Sequence, residues 1–189
     1  MQTDDGKKAY ELDGTINGKD EITVTITNDG KMVEYDINLS DLTKTPSKVL
    51  EAVKKKFPKF KLAESHEHCL GEDIKKLNDS KNQKNGELLY ELSGKRGIFN
   101  VQAQVSFDGE ILEFVNEWGL NKTPKTVSDA LDKAKGDVFK ADTVYVINQN
   151  NKIIGFKFEG KGPLGLSKCF FVTPDGTRVE RVEEIAPKK

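Results

Sequence analysis

His66 and His68, the only histidines in the chain, stand two residues apart in the run Glu64-Ser65-His66-Glu67-His68-Cys69. On an extended strand, positions i and i+2 project to the same side, so both imidazoles can reach one ion, and Glu64 shares that side. Glu64, His66 and His68 therefore form a candidate ligand set for zinc or copper. The competing reading is a polar sheet face, where paired histidines among carboxylates also occur. Neither a Cys-x-x-Cys nor a His-Glu-x-x-His motif is present to strengthen the metal.

Cys69 and Cys169 are the only cysteines. In an oxidising compartment a bridge between them would close a long loop and stabilise by roughly 4 to 5 kcal/mol. It would also require Cα atoms within about 7 Å. Because the two lie in different segments, the expectation is two unlinked thiols, Cys169 in a core and Cys69 exposed. Trp118, the single tryptophan, reads as a core plug before a helix. Its sharper reading is a partner-binding anchor, since tryptophan is enriched at interface hot spots.

Catalysis needs a positioned nucleophile, an acid–base pair or a metal. No serine has a glycine-rich nucleophile turn, and carboxylates are spread evenly rather than paired. The glycine-rich run 160–168 lacks the strand-loop-helix setting of a phosphate cradle and reads as a turn between strands. No enzyme is expected, no catalytic residue is assigned and no cofactor beyond the candidate ion is called for.

The elements that must position these residues are legible as a recurring pattern. Tyr10 to Gly14, Tyr90 to Gly94 and Phe156 to Gly160 each read aromatic-x-apolar-x-Gly. Each is followed at similar distance by an Asp-Gly pair, at Asp29-Gly30, Asp108-Gly109 and Asp175-Gly176, with Glu34, Glu113 and Glu180 four residues beyond the glycine. Period-2 alternation, as in Ile22, Val24 and Ile26 among threonines, marks strands with one buried face, and Asp-Gly between such runs marks a tight hairpin. Two helical segments share a Lys-Thr-Pro start. In the first, Val49, Leu50, Val53 and Phe57 fall on one face; in the second, Val127, Ala130, Leu131 and Ala134 do, and Gly136 stops the helix.

These patterns predict an α+β chain of tandem repeats, each a helix packed on a four-stranded antiparallel β-meander, preceded by an extra three-stranded meander. The boundaries are 1–43 for the leading meander, 44–120 for the first repeat with an inserted loop at 69–86, and 121–189 for the second. The segments 45–65 and 158–184, with a helix ending in Lys-Lys-Lys-Phe-Pro and strands closing on Asp-Gly-x-x-x-Glu, resemble the PepSY-like family, including its β-lactamase-inhibitor-like branch. The resemblance covers most of residues 7 to 185. It implies a non-catalytic module exported to the bacterial periplasm or cell surface, with a concave sheet backed by a helix.

Composition narrows the function further. The net charge of −1 arises from mixed acids and bases, and Arg96, Arg178 and Arg181 are the only arginines. Such a surface gives no footprint for nucleic acid. No apolar stretch approaches the roughly 20 residues that cross a bilayer, so no membrane insertion is expected. The polar start reads as lacking a signal peptide, and with the PepSY-like resemblance the expectation is a mature exported chain given a new start codon. The expected function is a protein-binding module, an inhibitor or an accessory subunit of an envelope complex. The alternatives are a periplasmic metal-binding protein using His66 and His68, and a structural envelope component whose leading meander pairs with another copy at an open sheet edge.

Overall fold

The computed structural model describes residues 8–70, 88–136, 139–162 and 165–182. Strands β1 (Ala9–Ile16), β2 (Asp20–Thr27) and β3 (Met32–Asn38) open the chain. Helix α1 (Ser47–Lys56) then leads to β4 (Phe60–Leu70), β5 (Leu88–Arg96), β6 (Phe99–Ser106) and β7 (Ile111–Trp118). Helix α2 (Lys125–Lys135) leads to β8 (Lys140–Gln149), β9 (Lys152–Lys161), β10 (Ser167–Val172) and β11 (Val179–Val182).

The strands follow one another in chain order through a single antiparallel sheet of eleven strands. This corrects the expected α+β architecture of tandem helix-on-meander repeats: the chain is mostly β, with two α-helices among the described residues. The physical reason lies at the helical connections. Each helix returns the chain to the neighbouring place in the same sheet, β3 pairing with β4 from Glu34↔Leu70 to Asn38↔His66, and β7 with β8 from Glu113↔Gln149 to Trp118↔Val144. Those long-range pairings carry no local sequence signal. Of the expected inserted loop at 69–86, Cys69 and Leu70 belong to β4, and 71–86 lie outside the described residues.

The chain divides into two compact units, the first comprising Met1–Ile98 and Gln102–Leu112, the second Phe99–Val101 and Glu113–Lys189. In the second, Val127 and Leu131 of α2 join Phe139, Val144, Val146, Phe156, Phe158, Phe170 and Val172 in a buried hydrocarbon cluster. Ala130 packs against it, whereas Ala134 is exposed, so the inward stripe of α2 ends at Leu131. In the first unit Val49, Val53, Phe57, Phe60, Tyr90 and Leu92 are buried.

The three Asp-Gly turns are built alike. A hydroxyl residue two places before each aspartate, Thr27, Ser106 or Thr173, accepts on its side-chain oxygen the backbone N–H that follows the turn, from Lys31, Glu110 or Arg178 at 3.0 to 3.1 Å. Its backbone oxygen accepts the N–H of Gly30, Gly109 or Gly176 at 2.9 Å. The glycines have φ of 80°, 87° and 70°, which only glycine adopts without steric cost.

Asp20 fixes the path from β3 to α1. It accepts the Ser40 N–H (2.9 Å) and hydroxyl (2.7 Å) on one oxygen and the Lys44 ammonium on the other. The lysine first, then the serine, hold its carboxyl down at about 2.

Candidate binding face

Residues directly paired across antiparallel strands share a face, so the register of the first unit orders its side chains into rows. One row runs Leu12, Val24, Tyr35, Cys69, Leu88 across five strands. The next runs Gly14, Ile22, Ile37, Glu67, Tyr90, and Tyr10, Ile26 and Met32 stand alongside at the other flank. At the β5 end these rows are core, with Cys69 at 0% and Tyr90 at 3% exposure. At the β1 end they are open, Tyr10 at 56% and Leu12 at 54%. The expected burial of Ile22, Val24 and Ile26 is therefore only partial. Thr25, on the opposite face, is buried instead; nothing among the described residues explains it.

A carboxylate sits within this apolar surface. Glu67 accepts the Tyr35 hydroxyl on one oxygen (3.0 Å) and the Tyr90 hydroxyl on the other (2.9 Å). Burial, and then the charge of Glu67, push both phenols above their usual value, so they stay protonated and donate. Beside them, Ser65 is fully buried and accepts the Thr45 hydroxyl at 2.9 Å. The sequence reading missed this cluster. Its signal was parity: Ser65, Glu67 and Cys69 alternate with Glu64, His66 and His68, and so share the face opposite to the histidines.

His66 and His68 lie on the polar face. His66 Nδ1 meets Asp36 at 2.9 Å, and His68 reaches Glu34 at 3.4 Å and Asp36 at 3.8 Å. The structure thus brings Asp36 and Glu34, from the neighbouring β3, to the imidazoles, while Glu64 is exposed further along β4. Among the described residues, no group of three or more histidines, cysteines, aspartates or glutamates is arranged to hold a metal ion.

Cys69 and Cys169 are both buried and not linked to each other, so Cys69 departs from its expected exposure because β4 extends through it. Trp118 is half-buried, its ring edge-on to Phe156 at 6.4 Å between centroids, against the cluster of the second unit. Of the glycine-rich run 160–168, Gly160 and Lys161 end β9, Ser167 and Lys168 begin β10, and 163–164 lie outside the described residues; the Gly162 N–H donates to the Leu166 carbonyl at 2.8 Å.

No family model matches the chain, and no curated protein matches it. Two solved structures share its fold. One is a DUF2874 family protein from Bacteroides uniformis, 15% identical, covering 72% of this chain and 89% of its own, with a TM-score of 0.50. The other, from Bacteroides eggerthii, is described as a candidate periplasmic protein; it is 16% identical and covers 72% of this chain and 88% of its own, also with a TM-score of 0.50. Among the described residues no helix is long and apolar enough to cross a membrane.

Proposed function

We propose that this chain is a non-catalytic, exported module that binds a protein partner through the apolar face of β1–β3. One observation carries the reading: Leu12 stands open in a row that continues through Val24 and Tyr35 to the buried Cys69, with Tyr10 open beside it. A contiguous apolar surface left in water costs solubility and marks an interaction site. Tyrosine adds a large contact area with few rotatable bonds, a property common at interface anchors. The exported compartment is supported by the fold shared with the candidate periplasmic protein and by the PepSY-like segments 45–65 and 158–184. Those segments also support a role as inhibitor or accessory subunit of an envelope complex.

A photo-crosslinking amino acid at position 10 or 12 tests this in the cells that make the protein. A discrete protein adduct is expected there and not at Lys54, which is exposed on α1. Equal adducts at all three positions, or none, reject the reading. The alternative, a metal site at His66 and His68, would have to draw on Asp36, which contacts both rings, although the described groups are not arranged to hold an ion. Zinc and copper calorimetry on the wild type and on His66→Ala with His68→Ala decides it.

A further inference from the structure

Several cations of the chain sit against carboxylates: Lys44 against Asp20, Lys125 against Asp129, Lys135 against Asp132, Lys157 against Glu159 and Arg178 against Glu180. One group differs. Lys59, Lys61, Lys95 and Arg96 gather where α1 passes into β4 and β5 turns toward β6, all within the first unit. Lys61 and Lys95 are direct partners across the antiparallel pair, and Phe60 and Arg96 are the next. The Arg96 guanidinium stands 5.9 Å from the centre of the Phe57 ring at the end of α1, and the Phe60 N–H donates to the Phe57 carbonyl at 3.0 Å. The four cations therefore belong to one corner. Among the described residues, no carboxylate is within ion-pair reach of any of them.

Ordinary structural roles explain part of this charge. Lys54, Lys55 and Lys56 fall in the last turn of α1, where the helix dipole favours cations, and Arg96 lies over an aromatic face. The Lys61–Lys95 pair has no such reason. Like charges directly opposite one another weaken a sheet. Lysine as a guard against stray pairing belongs on edge strands, whereas β4 and β5 each have a strand on both sides. The connection beside them is equally costly. Gly97, at φ 67°, and Ile98 join β5 to β6, and Ile98 is 82% exposed. The hairpin tips at Asn17-Gly18-Lys19 and Asn150-Asn151 are polar instead.

We propose that this corner docks on the anionic headgroups of a lipid bilayer, its four cations lying over the phosphates and Ile98 entering the shallow apolar layer beneath. Lysine and arginine are drawn to an anionic leaflet, and a projecting apolar side chain adds burial. The apolar tip favours a bilayer over a nucleic acid or an extended acidic peptide, which would engage the cations and offer Ile98 no comparable apolar phase. Charge along β4 sets the orientation. The strand starts at Lys61, and its far end pairs with the carboxylate-bearing Asp36 and Glu34 of β3, so the basic end turns toward the anionic surface. Such docking is peripheral, spans no membrane and does not depend on the β1–β3 face.

The test mixes the intact protein with vesicles of phosphatidylglycerol and phosphatidylcholine in equal parts, and with vesicles of phosphatidylcholine alone, and reads the bound fraction by co-sedimentation. Binding to the first only is expected, and it should fall as salt rises. Lys61→Gln and Lys95→Gln should each weaken it about fivefold, the attraction of one cation near a charged leaflet. Ile98→Ser should weaken it at every salt concentration. Lys133→Gln on α2 and Leu166→Ser, at exposed positions elsewhere, should leave it unchanged. Lys61, Lys95 and Ile98 are themselves exposed, and circular dichroism matching the wild type establishes that each variant is folded. No binding to the anionic vesicles, equal binding to phosphatidylcholine alone, or binding indifferent to both lysine variants overturns the proposal. So does a DNA duplex or poly-glutamate held as tightly as the vesicles with Ile98→Ser without effect, which assigns the corner to a soluble polyanion. Displacement by inorganic phosphate, at an ionic strength where chloride leaves the vesicles bound, assigns it to the free anion and equally overturns the bilayer.

Discussion

Tyr10 and Leu12 on β1 and Tyr90 and Leu92 on β5 are the same residue types at the same spacing, yet the first pair is more than half exposed and the second is core. The difference teaches that the motif does not make a core. Alternation only places apolar side chains on one face, and a covering element turns that face into an interior. A second contrast separates the interiors themselves. Where β8 and β9 contribute Val144, Val146, Phe156 and Phe158, strands β4 and β5 contribute Ser65, Glu67, Tyr90 and Leu92. One interior is hydrocarbon; the other carries two hydroxyl pairs and a carboxylate.

The sharpest way to break the first comparison is truncation. Phe158→Ala is expected to cost about 3 to 5 kcal/mol and Leu92→Ala about 2 to 5 kcal/mol in urea unfolding, the range for deleting buried groups. If Leu12→Ala costs as much as Leu92→Ala, β1 is core after all and the contrast is void. The second contrast is sharpened at Glu67. Glu67→Val alone leaves the Tyr35 and Tyr90 hydroxyls without their acceptor, at a cost of about 1 to 3 kcal/mol. Combined with Tyr35→Phe and Tyr90→Phe, it should recover most of that loss, because no polar group is then stranded. A triple variant less stable than Glu67→Val would show that the cluster stabilises beyond satisfying itself.

A smaller effect depends on pH. Asp20 is depressed from 3.8 to about 2 in the folded chain. Its contribution is therefore complete above 3.8 and lost as pH falls toward about 2. The gap in unfolding midpoint between wild type and Asp20→Asn should be open at pH 5 and shrink through that window; a gap constant down to pH 2 contradicts the Lys44 and Ser40 bonds. The smallest effect belongs to Leu12→Ala itself, expected within about 0.5 kcal/mol of the wild type in the absence of a partner.

Local order was well marked in the sequence. The Asp-Gly turns, the helix faces of Val49 and Val53 and of Val127 and Leu131, and the strands around them all follow from short-range periodicity and glycine geometry. The single sheet was not legible, because β3–β4 and β7–β8 pairings join strands across a helix, and nothing near Asn38 or Trp118 announces the partner. The Glu67 cluster was hidden by its neighbours: histidines draw attention as ligands, while the glutamate between them reads as one more surface acid. The exposure of Tyr10 and Leu12 was equally out of reach, since it depends on a cover that the motif does not encode.

The two thiols offer a way to watch the units separately. Cys69 and Cys169 are each fully enclosed and each belongs to a different unit. A thiol reagent can therefore react only when the surrounding strands part, and its rate at each site clocks that opening. Single Cys→Ser variants would make each clock readable alone, reporting through Cys69 whether an occupied β1–β3 surface slows breathing at β4 while Cys169 keeps its own time.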